Sequence, residues 1–596
     1  MSVKHAISRG LELGRSVLHL GLFKPAARVA AKLRGERLRL GQPAHSVQPR
    51  TFLPGRYRYF RVSLSGLAGQ LQRRGFQRLL GAGSPRNRAV FLAFGLGLGL
   101  VEQQLEEDRR GTATCRDIQE LFNKKKKLQS PIKPLSSGYR LEDYVIGRQI
   151  GKGCSAAVYE AAAPFAAAPF AAPRDPGTCT LVELSPDGEA QQPDPLSLRC
   201  RALVEYPLAV KMMWNLWAGS SSESILRSMS QELVPASPLA LTRETGTVAL
   251  TGRFGCKVKR LAPHPNVIRV YRAFTAEVPL LPGAQEEYPD MLPARLNPAG
   301  LGHNRTLFLV MKNYPCTLRQ HLERCVPGAR EASLMILQLL EGVDHLFKQG
   351  VAHRDLKSDN ILLELDSGGC PRLVITDFGC CLAEEGCGLR LPFDSDRVSR
   401  GGNACLMAPE VATAVPGPRV LLDYGRADAW AVGAIAYEIC GRPNPFYKPE
   451  PEGLESRSYQ ESQLPALPGG VLPDVHLVVK LLLRRSPSKR PSARVAANML
   501  HISLWGGRAL AADSMREMAD WLLCRSAGAL LQGRGSGGGA VEAQLQWCFL
   551  ANLDLEELRT AAQYLLLGTE PRRPRLPAGQ ENRAPRFPRR QDASSA

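Results

Sequence analysis

The chain has 596 residues and a mass of 65.1 kDa, which allows two to four domains, or one large domain with extensions, at roughly 100–200 residues each. Hydrophobic residues make up 44% and charged residues 22%, so a sizeable core can be buried and wholesale disorder is excluded; the absence of any run of ~20 apolar residues excludes a polytopic membrane protein. The net charge is +21, but residues 1–90 hold 18 Lys/Arg against two acids, Glu12 and Glu36, so +16 of it lies there and a nucleic-acid role for the whole protein loses its support.

In chain order, residues 1–88 come first. They are Arg-rich, contain Ser and are nearly free of acids, the composition of a mitochondrial transit segment. Cations here are drawn inward by a membrane potential, at ~2.3 kcal/mol per charge per 100 mV. The alternative is a basic arm that binds RNA or acidic lipid. Residues 89–101 (AVFLAFGLGLGLV) are uncharged. As a helix they span ~20 Å, short of the ~30 Å hydrocarbon core, so by length alone a buried or interfacial segment fits as well. Gly95, Gly97 and Gly99, cations before and acids after favour the membrane, and a short membrane segment is expected over 89–105.

Residues 114–128 (TCRDIQELFNKKKKL) have Ile118, Leu121 and Phe122 at helical spacing, predicting a linker helix within 110–130. Residues 144–160 (YVIGRQIGKGCSAAVYE) read as two strands around a glycine turn. Gly151 and Gly153 let backbone N–H groups approach phosphates with no Cβ in the way. GxG alone is weak evidence, and so is Lys211 at the end of LAVK. The stretches that follow are more specific: His353-Arg354-Asp355-Leu356-Lys357-Ser358-Asp359-Asn360, then Asp377-Phe378-Gly379, Ala408-Pro409-Glu410, and Asp428-Ala429-Trp430. The fifteen cysteines are scattered without a CxxC pair, which argues against zinc ligands and a disulfide framework and for free thiols in a reducing compartment.

At these residues, from about Tyr144 to Trp505, the chain resembles the protein-kinase family. The resemblance implies an α+β fold, bilobal, with a kinase domain over 144–505. It implies ATP and Mg²⁺ as cofactors, with Ile150, Gly151, Gly153 and Val158 around the nucleotide and Val158 packed on the adenine. The family's third glycine is Ala156 here. Lys211 would hold the α/β-phosphates and needs a carboxylate partner; of Glu223, Glu232 and Glu244, Glu232 is chosen, in the helix-compatible SILRSMSQELV. Met311 would stand behind the adenine, with Lys312 to Tyr314 as the hinge. Asp355 would accept the substrate proton, Lys357 would neutralise the transferred phosphoryl, and Asn360 and Asp377 would ligate the metal. Lys357 in HRDLKxxN is similar to serine/threonine rather than tyrosine kinases. A pseudokinase would lack Lys211, Asp355 or Asp377, and all three are present.

Three small-lobe insertions are expected, at about 161–205 (with the repeat AAAPFAAAPF), 235–259 and 277–304. Amphipathic helices over 517–531 and 541–567 form a helical C-terminal extension (506–568), and residues 569–596 a disordered tail. The basic leader, the glycine-rich segment, the insertions and the strings KMMWN and TDFGCCLAEE resemble one mitochondrial branch of the kinases. That branch implies ubiquitin and the ubiquitin-like domain of the ligase parkin as substrates and the outer-membrane import translocase as a partner. It also implies trans-autophosphorylation by a second copy, an outer-membrane location with the kinase facing the cytosol, and inner-membrane and cytosolic forms after processing. A cytosolic kinase whose basic leader binds lipid is the competing reading. Ser220, Ser221 and Ser222 precede the helix of Glu232; a serine there either caps that helix or carries a phosphate. The resemblance points to Ser220, with Ser395 as the second phosphorylation candidate.

Overall fold

A computed structural model describes residues 111–123, 138–163, 206–241, 257–447, 453–506, 515–532 and 540–568. The expected targeting and membrane segments, the alanine–proline repeat after Ala163, the lysine run and the tail lie outside them. Among the described residues no helix is long and apolar enough to cross a membrane.

Helix α1 covers residues 111–123. The small lobe is an antiparallel sheet of β1 (Val145–Lys152), β2 (Ala156–Ala162), β3 (Leu208–Met213), β4 (Val270–Glu277) and β5 (Arg305–Lys312), in the order β1-β2-β3-β5-β4. Strand β3 (LAVKMM) is buried along its whole length, as a central strand covered on both faces must be. Its parity sorts the side chains. Leu208, Val210 and Met212 join an outer apolar cluster with Tyr159 and Phe308, while Ala209 and Met213 join the main core. Lys211 shares the second face.

Helix α2 (Ser222–Ser228) starts at Ser221, whose hydroxyl accepts a bond from the Ser224 N–H. It stops earlier than the sequence suggests: Met229 leaves helical geometry, and Ser230–Leu233 form a separate 3₁₀ turn that carries Glu232. One expected insertion bound also moves. Ala161 and Ala162 belong to β2, paired with Ile146 and Val145, so the first insertion begins after them. The Pro-rich stretch 277–304 is built into the lobe. Tyr288 lies in the outer cluster with its hydroxyl 2.5 Å from that of Tyr159, and Lys152 Nζ pairs with Glu287 at 2.9 Å.

The large lobe is helical: α3 (Ala329–Lys348), α4 (Ala427–Ile439), α5 (Pro473–Leu482) and α6 (Ala493–Trp505). A small sheet of β6 (Cys316–Thr317), β7 (Ile361–Leu365) and β8 (Pro371–Ile375) sits where the lobes meet. Arg494 of α6 is fully buried between two carboxylates of α3, with Nη1 2.7 Å from Glu341 Oε1 and Nε 2.9 Å from Asp344 Oδ2. Helices α7 (Met515–Gln532), α8 (Ala540–Ala551) and α9 (Leu555–Leu567) follow. The expected single helix over 541–567 is two, because Asp554 caps the second by accepting the Glu557 N–H at 3.0 Å. These helices pack back onto the lobe: Trp521 Nε1 donates to Trp505 O at 3.1 Å, and Arg330 pairs with Glu542 at 2.8 Å. Helix α1 docks on them, with the Phe122 and Trp547 rings 4.6 Å apart and Asn123 Nδ2 donating to Ala551 O at 3.2 Å.

Candidate active site

Lys211 Nζ stands 3.0 and 2.9 Å from the two oxygens of Glu232, and 3.0 Å from Asp377 Oδ1. Glu223 is elsewhere, paired with Arg227 across one turn of α2, and Glu244 lies outside the described residues. Burial disfavours the Lys211 ammonium, but two facing carboxylates outweigh it and push its pKa up. Burial also acts against a charged Asp377; the Lys211 ammonium and its hydrogen bond overcome this and hold the carboxyl below its ordinary value. Asp377 adopts φ 65°, a conformation few non-glycine residues hold without support. At Gly379 a Cβ would fall 2.6 Å from Glu232 Oε1, so a side chain at the third residue of the Asp-Phe-Gly string would displace the carboxylate that pairs with Lys211.

The second half of the site is the loop between α3 and β7. Asp355 Oδ2 accepts a bond from Asn360 Nδ2 at 2.8 Å and lies 3.8 Å from Lys357 Nζ. Burial pushes the Asp355 carboxyl up, and the Lys357 ammonium opposes the shift. With its NH₂ committed to Asp355, the Asn360 amide oxygen remains an acceptor. Asn360 and Asp377 thus offer hard oxygen donors of the kind a divalent cation takes, and the residues fit one.

The glycine turn closes the site from the small lobe. Val158 lies directly opposite Lys211 in the β2–β3 register, and Gly151 opposite Val158 in β1–β2. Gly153 N donates to Ala156 O at 2.9 Å, closing the turn, and Ile150, 39% exposed, lies at its edge. Met311 is buried at the end of β5 beside Ala209 and Val270. Next to it, Lys312 pairs with Glu364 of β7, and the Asn313 N–H is engaged by Pro207 O at 3.0 Å. Lys312 itself closes β5 opposite Leu208. The two phosphorylation candidates lie apart: Ser220 is exposed one residue before the α2 cap, and Ser395 bonds the Asp394 carboxylate at 3.2 Å.

Two contributors escaped residue-by-residue reading. Asp428, noted only as part of a motif, accepts the N–H groups of His353 (2.7 Å) and Arg354 (3.0 Å) and so anchors the loop that carries Asp355. Gly402 lies so close that a Cβ would stand 2.5 Å from Asp355 Oδ1; the doublet Gly401-Gly402 was its sequence signal.

A five-stranded lobe carrying a lysine–carboxylate pair, set against a helical lobe carrying an Asp/Lys/Asn loop, defines a bilobal protein kinase. Residues 256–502 match the protein kinase domain family; Lys211 and Glu232 lie before that match, separated from it by the second insertion. The chain is 55% identical over 591 residues to a human protein named serine/threonine-protein kinase PINK1, mitochondrial, covering 95% of this chain and 99% of the relative. It is 36% identical over 479 residues to the protein of that name from Tribolium castaneum, covering 79% and 77%. A solved pseudokinase, PEAK1, is similar at a TM-score of 0.44 and 18% identity over 77% of this chain and 99% of that one, too weak a likeness to carry an argument. The chain belongs to the PINK1 family of mitochondrial serine/threonine protein kinases.

Proposed function

We propose that this kinase transfers the γ-phosphoryl group of ATP, with Mg²⁺, to a serine or threonine of ubiquitin and of the ubiquitin-like domain of parkin. The transfer marks damaged mitochondria for autophagy. The observation that carries the phosphoryl-transfer reading is Lys211 Nζ held between Glu232 and Asp377 at 2.9–3.0 Å. The choice of substrate rests on the family likeness.

In this reading Lys211 binds the α/β-phosphates, and Glu232 keeps it aimed there. Gly151 and Gly153 cover the phosphates while Ile150, Val158 and Met311 enclose the adenine, whose edge meets the backbone of Lys312 and Tyr314. Asp377 and Asn360 would hold the cation, which would supply charge neutralisation for the phosphates. Asp355 orients the substrate hydroxyl and takes its proton, helped by burial that raises its affinity for one. Lys357 stabilises the moving phosphoryl from the same side. The domain plan follows the sequence: a targeting segment over 1–88, a short membrane segment over 89–105, and the kinase over 144–505 facing the cytosol from the outer membrane. The C-terminal helices contact the import translocase, and a second copy phosphorylates Ser220, with Ser395 secondary.

The test uses the purified chain with Mg·ATP and ubiquitin, read by mass spectrometry. Phosphoubiquitin is expected from the wild type and none from Asp355→Ala or Asp377→Ala with unchanged melting temperature. A wild-type enzyme that phosphorylates itself but leaves ubiquitin unmodified removes the substrate assignment. Near-normal activity in either variant removes the residue roles.

A further inference from the structure

Residues 257–261 close the second insertion and run between the parts of the active site. Lys259 N donates to Ala383 O at 2.9 Å and Glu385 N donates to Lys257 O at 3.0 Å, which makes Val258 and Glu384 an antiparallel bridge. The strand they join is the one that leaves Asp377. On its other edge Leu382 exchanges bonds with Ala352, at 3.0 and 2.8 Å, three residues before Asp355. Two residues further along the insertion, Leu261 N donates to Val234 O at 2.9 Å, and Val234 closes the 3₁₀ turn of Glu232. Lys259 Nζ reaches Gly350 O at 3.2 Å, at the end of α3. Val258 and Leu261 are buried in the main core, at 6% and 8% exposure. Five residues therefore touch the Glu232 turn, the segment after Asp377 and the root of the Asp355 loop. Lys211 reaches both carboxylates only if the Glu232 turn and the Asp377 segment keep their spacing. Residues 257–261 tie them on the side beyond Asp377, while residues 266–270 tie the stretch after Glu232 (Val270 N to Pro235 O, 3.2 Å) to Ile375 before Asp377 (Ile268 N to Ile375 O, 2.9 Å), and Cys381 Sγ lies 3.9 Å from Gln231 O.

We propose that residues 257–261 are a positioning strap that fixes Glu232 and Asp377 against Lys211. The strap sets the phosphate- and metal-binding half of the nucleotide site independently of the adenine half; it rests on the nucleotide placement given above. Without it the competent arrangement becomes one of several, and apparent affinity falls by the competent fraction. Backbone bonds carry the ties to Val234 and Ala383, so a proline is the direct probe: Lys259→Pro deletes the N–H that reaches Ala383.

Calorimetry on the full chain measures adenosine, which needs only the hinge and apolar pocket, and Mg·ATP, which also needs Lys211 and Asp377. For Lys259→Pro we expect on the order of tenfold weaker Mg·ATP binding with adenosine affinity within about twofold of wild type, a competent fraction near one tenth. Lys259→Gly, which keeps the N–H but loosens the backbone, should show the same split at smaller size and serves if the proline variant does not fold. Equal weakening of both ligands, or wild-type Mg·ATP binding in both variants, overturns the strap. Asp377→Ala checks the nucleotide placement separately: if it binds Mg·ATP as the wild type does, that placement fails, and the strap with it.

Discussion

At the scale of single residues, the two aspartates of the site are driven in opposite directions by the same two forces. Asp377 lies within hydrogen-bonding distance of an ammonium and is held below its ordinary value; Asp355, 3.8 Å from Lys357, is not, and burial raises it. A base must be deprotonated to accept a proton, so activity should fail, on acidification, at a pH above that of an exposed aspartate. The Lys357 ammonium favours the carboxylate, and removing it should raise the Asp355 pKa further. Lys357→Met is therefore expected to move the acid limb of the kcat–pH profile to higher pH, besides lowering kcat. A limb that stays put or moves to lower pH contradicts the coupling. Much of this site is legible as strings, since Asp355, Lys357, Asn360 and Asp377 are fixed by the chemistry each performs. The choice among Glu223, Glu232 and Glu244 rested on spacing and helix compatibility, and only the folded chain shows which carboxylate stands beside Lys211.

At the scale of elements, the reading of continuous helices failed at two places for one reason: a local side chain or turn ended the run before the apolar periodicity did. Asp554 starts a new helix in 541–567, and Met229 ends α2 before Glu232. The strap at 257–261 was not legible at all, because backbone pairing between distant segments leaves no residue-type signature. Ser221 already caps α2, so Ser221→Ala should cost about 1 kcal/mol in denaturant unfolding. Ser220→Ala should cost less than half of that while sharply reducing phosphorylation of ubiquitin. An equal loss of stability in both would mean that Ser220 acts through the helix and not as a phosphate acceptor. In the large lobe, Arg494 holds the Glu341 carboxyl far below its ordinary value despite burial, which alone would raise it. A carboxyl depressed in the folded state stabilises above its unfolded pKa, and that contribution is lost as pH falls through the acid range. Arg494→Leu leaves the buried Glu341 with His501 alone, while Asp344 keeps Lys348 at 2.9 Å, and should cost about 3–5 kcal/mol at neutral pH. The penalty should shrink toward pH 4, where Glu341 without its guanidinium can take up a proton; a penalty that grows on acidification refutes the assignment.

At the scale of the whole molecule, charge and catalysis occupy different parts of the chain. Residues 1–90 carry +16 of the net +21. Fused to an inert soluble protein, they should direct it to mitochondria while the membrane potential is intact and leave it in the cytosol when the potential is dissipated. Import that is indifferent to the potential would contradict the electrostatic argument. Helix α1 adds a mechanical property. It is fastened to α8 by the Phe122–Trp547 contact and the Asn123 bond to Ala551 O, on the helical lobe rather than on the sheet. A pull applied at residue 111 should therefore reach α8 and the start of α9, where Asp554 and Arg559 act on Cys115, and pass to α3 through Arg330–Glu542. The seam of α1 is then expected to open before the contacts among Lys211, Glu232 and Asp377, none of which belongs to these helices. A kinase tethered by this end can be tugged until its leading helix peels away while its nucleotide cleft keeps its shape.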